Sequence, residues 1–252
     1  MVCEERSPAC HGKRREPGRG GLPRGSPTAD TVTTDGPGAD AATPGADDVA
    51  RRRRQAVLAG HRGDRRTAGV LAGDSDPGVR GAALGALARL GALDDVVLLG
   101  AFGDGDPTVR RRAGALAAET VDPGTAGAGL MEAMVELLDD PDPSVVETAA
   151  WAFGEFGRRC PAPGLSALCR VAAGHDSPLC REAAVAALGA IGVPDTLTVV
   201  LAALDDTVNI RRRAAIALAA FDDPSAEEGL RRCLTDRDWQ VRQAAEELLG
   251  DE

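Results

Sequence analysis

The sequence is poor in aromatic residues. It has no tyrosine and four phenylalanines, and Trp151 and Trp239 are the two tryptophans among its 252 residues. Surfaces that stack bases, and pockets that surround a π-rich cofactor, depend on several accessible rings. The composition therefore argues against both, and we predict no cofactor.

Long apolar segments and paired metal-ligand motifs are also missing. No stretch approaches the roughly 20 apolar residues of a membrane span, and the N-terminus has no apolar signal core. The six cysteines form no CxxC pair, and none stands at metal-ligand spacing from a histidine. We expect reduced thiols, no metal, no membrane contact and a cytoplasmic protein, with Cys160, flanked by Arg158 and Arg159, as the most exposed thiol.

The charge is acidic overall and unevenly distributed. The formal net charge is −10, yet residues 51–66 hold seven arginines against one aspartate. The remainder, residues 67–252, carries 16 basic and 30 acidic side chains. The excess of acidic side chains in residues 67–252 repels the phosphate backbone of a nucleic acid at long range. We therefore predict that nucleic acid is not a partner.

Residues 1–46 form a segment rich in Gly, Pro, Ser, Thr and Asp. A segment of this composition cannot bury enough apolar surface to offset its ordering entropy. We predict a disordered tail over 1–46 and a folded domain over 47–252. The tail has two open interpretations, a tether or an over-long translated start.

The rest of the chain repeats with a period of 30 to 36 residues. The motif D-x-D-P-x-V-R-x-A-A-x-x-A-L starts at Asp74, and variants begin near residues 104, 140, 175, 205 and 236. Periods in this range are the mark of a stacked repeat array. The shared apolar position, expected to be buried, falls on Val79, Val109, Val145, Cys180, Ile210 and Val241.

Each repeat reads as two helices. Asp76 followed by Pro77 predicts the start of the second helix, because an Asp side chain caps free amides and Pro lacks one. Gly91, Gly157 and Gly192 lie where second helices should end in a left-handed turn. Residues 47–60 are typical of a leading helix that caps the stack with a polar face.

These elements predict an all-α fold. One hairpin of about thirty residues cannot bury its apolar stripe alone, so neighbouring hairpins must stack. We expect an α-solenoid, a right-handed superhelix of about six helical hairpins whose second helices line an inner, concave surface.

The repeated motif resembles the HEAT repeat, and more narrowly the short HEAT-like repeat of phycobilisome bilin lyases. The resemblance covers about residues 65–250 and implies an armadillo-like solenoid. The family includes scaffolds, bilin lyase subunits, a di-iron hydroxylase and DNA glycosylases. The hydroxylase type holds iron through repeated His-Glu pairs, and none of His11, His61 and His175 is followed by Glu. Members of the glycosylase type are expected to carry a basic groove lined by several aromatic side chains. An acidic chain with two tryptophans does not match that type.

An arginine follows the shared apolar position in five repeats. It stands in the first turn of a helix, where the helix dipole disfavours a cation. We predict a structural ladder in which these arginines bridge carboxylates or carbonyls of adjacent turns, with a break at Val146; a row of anion-binding arginines is the alternative. The predicted ladder residues are Asp74, Arg80, Asp104, Arg110, Asp140, Arg181, Asp205, Arg211, Asp236 and Arg242.

Helical geometry also predicts a candidate binding surface. Residues two and six places after the shared apolar position point away from the core. There Trp151 is either an interaction hot spot or a cover for the wider third repeat. The sequence therefore favours a non-catalytic scaffold or adaptor for a protein or peptide, with a bilin lyase-like subunit that holds a tetrapyrrole as the alternative. The candidate contact residues are Arg111, Glu147, Trp151, Glu182, Arg212, Ile216 and Gln243.

Overall fold

The computed structural model describes residues 44–250, and within that range every regular element is helical. Four short 3-10 turns, at 137–139, 157–159, 194–196 and 203–205, extend or precede α-helices. The thirteen α-helices are α1 (Pro44–Arg62), α2 (Arg65–Leu71), α3 (Pro77–Arg89), α4 (Asp95–Phe102), α5 (Pro107–Thr120), α6 (Ala128–Glu136), α7 (Pro143–Glu155), α8 (Ala162–Gly174), α9 (Pro178–Ile191), α10 (Leu197–Ala202), α11 (Val208–Leu218), α12 (Pro224–Cys233) and α13 (Trp239–Leu249).

The helices from α2 onward form six antiparallel hairpins that stack in chain order. The first helices of the hairpins pack on one another from α4 to α12, and the second helices pack on one another from α3 to α13. Helix α1 packs on α3, so it takes the place of a second helix at the start of the array. The chain is therefore an α-solenoid of two helical layers. Below, the layer of α1, α3, α5, α7, α9, α11 and α13 is called the second layer.

The predicted helix ends are present. The carboxylate of Asp76 accepts the amide of Val79 at 3.0 Å, and that of Asp106 accepts the amide of Thr108 at 2.8 Å. Gly91, Gly157 and Gly192 all have positive φ, between 54° and 60°, which matches the left-handed turns expected there. These local signals set the hairpin boundaries.

The shared apolar position is buried in all six repeats, with at most 1% of each residue exposed. Small residues allow the second-layer helices to approach closely. A β-carbon on Gly189 in α9 would lie 2.6 Å from Cβ and 2.8 Å from Cα of Ala217 in α11, the next helix of the second layer. A β-carbon on Gly60 would likewise lie 2.9 Å from Cα of Ala86. Glycine and alanine are therefore required at these helix crossings.

Two features at the start of the array differ from expectation or lie beyond the described range. Helix α1 starts at Pro44, three residues before the predicted start of the folded domain at residue 47. The rest of the segment that we predict to be disordered lies outside the described residues. Its outer face is not wholly polar, because Val57 and Leu58 are 45% and 43% exposed. No helix between 44 and 250 is long and apolar enough to cross a membrane.

Candidate functional site

Arginines of the second layer join successive hairpins through bidentate ion pairs. Arg80 donates to both carboxylate oxygens of Asp104, at 2.6 and 2.7 Å, and Arg110 donates to both oxygens of Asp140 at 2.7 Å. In each pair the aspartate belongs to the turn of the next hairpin. Parallel N–H···O bonds of this kind fix orientation as well as distance. We call this series of pairs the Arg–Asp ladder.

The same side chains also hold their own turns. Arg80 donates to the carbonyl of Asp74 at 2.9 Å, and Arg110 donates to the carbonyl of Asp104 at 2.9 Å. The carboxylate of Asp104 accepts the amide of Asp106 at 2.9 Å, which fixes the approach to α5. Each ladder position therefore links one turn to the next through partly buried side chains.

Arg211 is the most deeply buried member of the ladder, with 5% of the residue exposed. It donates to both oxygens of Asp236 at 2.8 Å and to the carbonyl of Asp206 at 3.0 Å. The hydrogen bonds from Arg211 hold the pKa of the Asp236 carboxyl below its usual value, although burial opposes this effect. Arg181 lowers the pKa of Asp206 in the same way.

The prediction of Asp205 as a ladder member is wrong. Arg181 donates to Asp206 at 2.8 and 2.9 Å, whereas Asp205 is exposed and meets Arg232 at 3.3 Å on the surface. In the other turns the ladder aspartate stands two residues before the residue that caps the helix, but here Thr207 is the cap and the turn is one residue shorter. Asp206, one residue before the cap, therefore takes the ladder position that the sequence assigns to Asp205.

The ladder is interrupted between α7 and α9, as the sequence predicts. Val146 stands where the other helices carry arginine, and it is fully buried. His175 stands where the next turn would carry aspartate, and its Nδ1 accepts the amide of Ser177 at 3.0 Å. Both members of the pair are thus replaced at one junction, and neither leaves an unpaired charge.

The two ends of the ladder differ from its middle. At the start, Arg52 of α1 donates to the carboxylate of Asp74 at 2.8 and 3.2 Å, a contact that the repeat pattern does not reveal because α1 lacks the Asp-Pro start. At the other end, Arg242 donates to the carbonyl of Asp236 at 2.7 Å and has no carboxylate partner within residues 44–250.

The predicted contact residues lie on the solvent side of the second layer. Five of them are exposed, and Glu182 and Arg212 are partly exposed. Arg213, the neighbour of Arg212, lies 3.5 Å from Glu182, and Gln243 donates to Glu247 at 2.8 Å. The structure therefore brings these seven residues onto one layer, and we call them the second-layer face: Arg111, Glu147, Trp151, Glu182, Arg212, Ile216 and Gln243.

Two apolar residues stand out on the second-layer face. Trp151 and Ile216 are each 45% exposed, while their neighbours in α7 and α11 that face inward are fully buried. Exposed aromatic and aliphatic groups among mixed charges are typical of protein contact surfaces.

Burial raises the pKa of all four cysteines that the structure describes. Cys160 is buried, contrary to the prediction that it is the most exposed thiol, because the 3-10 turn at 157–159 directs it against Gly164. Burial raises its pKa to about 12. Cys180 is fully buried, as predicted. Over residues 44–250 no three His, Cys, Asp or Glu side chains gather in a way that would hold a metal ion.

Two helical layers, a fixed repeat and junctions between successive hairpins define an α-solenoid repeat protein. A family model for HEAT repeats matches residues 131–215 and again 205–251. No curated protein matches the sequence.

Several solved structures are similar to this chain. The CpcE–CpcF complex of phycocyanin lyase from Nostoc sp. PCC7120 is 23% identical, with a TM-score of 0.50, 73% of this chain covered and 75% of that chain. The YibA protein of Escherichia coli is 17% identical, with a TM-score of 0.56 and coverage of 84% and 76%. A designed armadillo repeat protein in complex with the peptide (KR)4 is 16% identical, with a TM-score of 0.51 and coverage of 82% and 94%.

At these identities the likeness establishes the fold alone. Together with the HEAT repeats matched over residues 131–251, it supports a HEAT-like repeat protein.

Proposed function

We propose that the protein is a non-catalytic scaffold or adaptor that binds a protein or peptide partner through its second-layer face. The observation that carries this proposal is the exposure of Trp151 and Ile216 on the solvent side of the second layer. A large aromatic side chain that is 45% exposed leaves apolar surface in water, and Trp is enriched among the residues that dominate binding energy.

The charges around Trp151 support a peptide-like partner. Glu147 lies one helical turn before it, Arg111 lies on the neighbouring helix α5, and Arg212 lies on α11, beyond α9. Mixed charges around an apolar centre suit an extended or helical segment with its own alternating charges. The designed armadillo protein in complex with (KR)4 has the same class of fold and holds a peptide, which agrees with this use of a solenoid surface.

Selection from a displayed peptide library on the full chain tests the proposal. We expect selected peptides to bind the wild type and to lose about tenfold or more in affinity to Trp151→Ala, since a hot-spot truncation costs about 2 kcal/mol. Trp239→Ala is the matched control, because Trp239 is 60% exposed at the start of α13 and lies outside the second-layer face. Equal loss in both variants, or no selected binder, would reject the proposed surface.

The bilin lyase-like alternative is tested separately. Co-expression with a bilin, followed by absorbance of the purified protein, would show colour for a subunit that holds a tetrapyrrole. We expect the protein to stay colourless, because the likeness to the phycocyanin lyase complex extends to the fold alone.

A further inference from the structure

A groove of about 390 Å³ lies on the second layer where α1, α3 and α5 meet. Four arginines stand around it, one from α1, one from α3 and two from α5. Its lining contains no aspartate or glutamate. We call it the arginine groove and define it by Arg53, Arg89, Arg111 and Arg112.

These arginines are not used for cohesion. In the described part of the chain no side chain of the four makes an ion pair or a hydrogen bond, whereas the Arg80 side chain on α3 binds both Asp104 and the carbonyl of Asp74. The nearby capping carboxylates are already engaged, as with Asp76 on the amide of Val79. Four unpaired like charges around one concavity produce a positive potential that attracts anions.

Glycines keep the groove open. A β-carbon on Gly81 would meet no atom within 4 Å, so the space above this residue is empty. A β-carbon on Gly85 would lie 2.9 Å from a terminal nitrogen of Arg112, so the glycine gives that guanidinium room to lie across α3. Helix α7 carries larger groups, Glu147 and Trp151, at these two positions.

From these observations we propose that the arginine groove binds an acidic, Asp- and Glu-rich segment of a partner protein. The inference rests on the proposed scaffold function and specifies one part of the partner. Guanidinium groups bind carboxylates in paired hydrogen bonds, and four of them around one groove accommodate several carboxylates of an extended peptide.

The charges along the second layer favour a peptide over a nucleic acid. Beyond the groove the same row of the second layer turns acidic at Glu147 and Glu182, which would repel a continuing phosphate backbone. A partner chain can instead follow its acidic segment with apolar or basic residues next to Trp151. The second-layer face and the arginine groove would then hold consecutive parts of one peptide.

Fluorescence anisotropy on the full chain tests the proposal with a labelled peptide of about ten alternating Asp and Glu residues, at about 50 mM and about 200 mM salt. The matched probe is the same peptide with Asn and Gln. We expect the acidic peptide to bind about tenfold tighter than the neutral one, with weaker binding at the higher salt. Equal affinity for the two peptides overturns the proposal.

Variants localise the binding. Replacing Arg53, Arg111 and Arg112 together by Ala should weaken binding of the acidic peptide about tenfold or more. The control variant replaces three unpaired arginines outside the groove by Ala and removes the same charge; we expect its affinity to stay within about twofold. A second variant, Gly81→Glu, adds a carboxylate to the empty space and should abolish binding while circular dichroism stays unchanged. The control positions are Arg66, Arg158 and Arg237.

Two further measurements identify a wrong occupant. A single-stranded oligonucleotide that binds more tightly than the acidic peptide would overturn the proposal in favour of nucleic acid. A dimer in sedimentation velocity that Gly81→Glu dissociates would assign the groove to a second copy. If library peptides still bind through Trp151 while the acidic peptide does not, the groove proposal fails and the scaffold proposal stands.

Discussion

Val146 and His175 occupy, on adjacent hairpins, the two positions that an arginine and an aspartate occupy at the other junctions of the Arg–Asp ladder. The valine is fully buried and the histidine caps its own turn. The α7–α9 junction is therefore held by apolar packing, whereas its neighbours combine packing with a charged pair.

This substitution predicts a strong coupling between the two sites. Val146→Arg alone should lower the free energy of unfolding by roughly 2 to 5 kcal/mol, because the new guanidinium would be buried without a carboxylate. Adding His175→Asp supplies the missing partner and should recover at least about 1 kcal/mol beyond additivity. Urea denaturation of the four members of the double-mutant cycle measures the coupling. Additive effects would mean that the α7–α9 junction does not share ladder geometry.

The ladder predicts unequal effects at its middle and its end. Arg211→Ala should destabilise the protein by about 3 to 5 kcal/mol, because it leaves Asp236 partly buried without its partner. Arg242→Ala loses a hydrogen bond to a carbonyl and should cost about 1 to 2 kcal/mol. Chemical denaturation of the two variants checks the difference. Equal destabilisation would contradict a role for the bidentate pair.

The ladder also predicts acid sensitivity. The pKa values of Asp206 and Asp236 are lowered in the folded protein by Arg181 and Arg211. The unfolded chain therefore takes up protons first, and the stabilisation present above about pH 4 is lost as the pH falls below that value. Urea denaturation between about pH 6 and pH 3 should show this decline.

The control for the acid effect is the double variant Asp206→Asn with Asp236→Asn. It should be less stable than the wild type at about pH 6 and should lose less stability on acidification. A wild-type stability that rises as the pH falls through about 4 would contradict the assignment.

The helix crossings predict opposite outcomes for two glycines in the second layer. Gly189→Ala should destabilise by about 1 to 3 kcal/mol, because its Cβ would collide with Cα of Ala217 and backbone atoms would have to move. Gly81→Ala meets nothing within 4 Å and should stabilise by up to about 1 kcal/mol through helix propensity. Thermal unfolding of both variants distinguishes the crossing from the open position.

The burial of Cys160 predicts low thiol reactivity. With its pKa raised to about 12, the side chain is a thiol at neutral pH and is shielded from solvent. Iodoacetamide should modify Cys160 only after unfolding, as measured by peptide mass spectrometry of the native and urea-treated protein. Rapid native modification would show that the 3-10 turn at 157–159 opens readily.

The fold was predictable because its signals are local and repeated. Asp76 with Pro77, the buried position at Val79 and the turn at Gly91 each follow from one stretch of sequence, and six copies reinforce the pattern. The exposure of Trp151 followed from helical periodicity in the same way.

Features that depend on three-dimensional neighbours were not predictable. Asp206 replaces Asp205 because one turn is a residue shorter, and Arg52 joins the ladder from a helix without the repeat's opening motif. The arginine groove depends on which arginines lack partners, and a one-dimensional pattern does not contain that information. Cys160 was misplaced because flanking arginines indicate solvent, whereas the turn geometry directs the thiol inward.

The Arg–Asp ladder makes most hairpins interchangeable at their borders. A hairpin whose second helix carries the arginine in its first turn presents the same connector to any hairpin whose internal turn carries the aspartate, so recombination or duplication of whole units would preserve those borders. The border between Val146 and His175 accepts neither connector. It therefore divides the array into two blocks, and units can be exchanged within each block but not across the border between them.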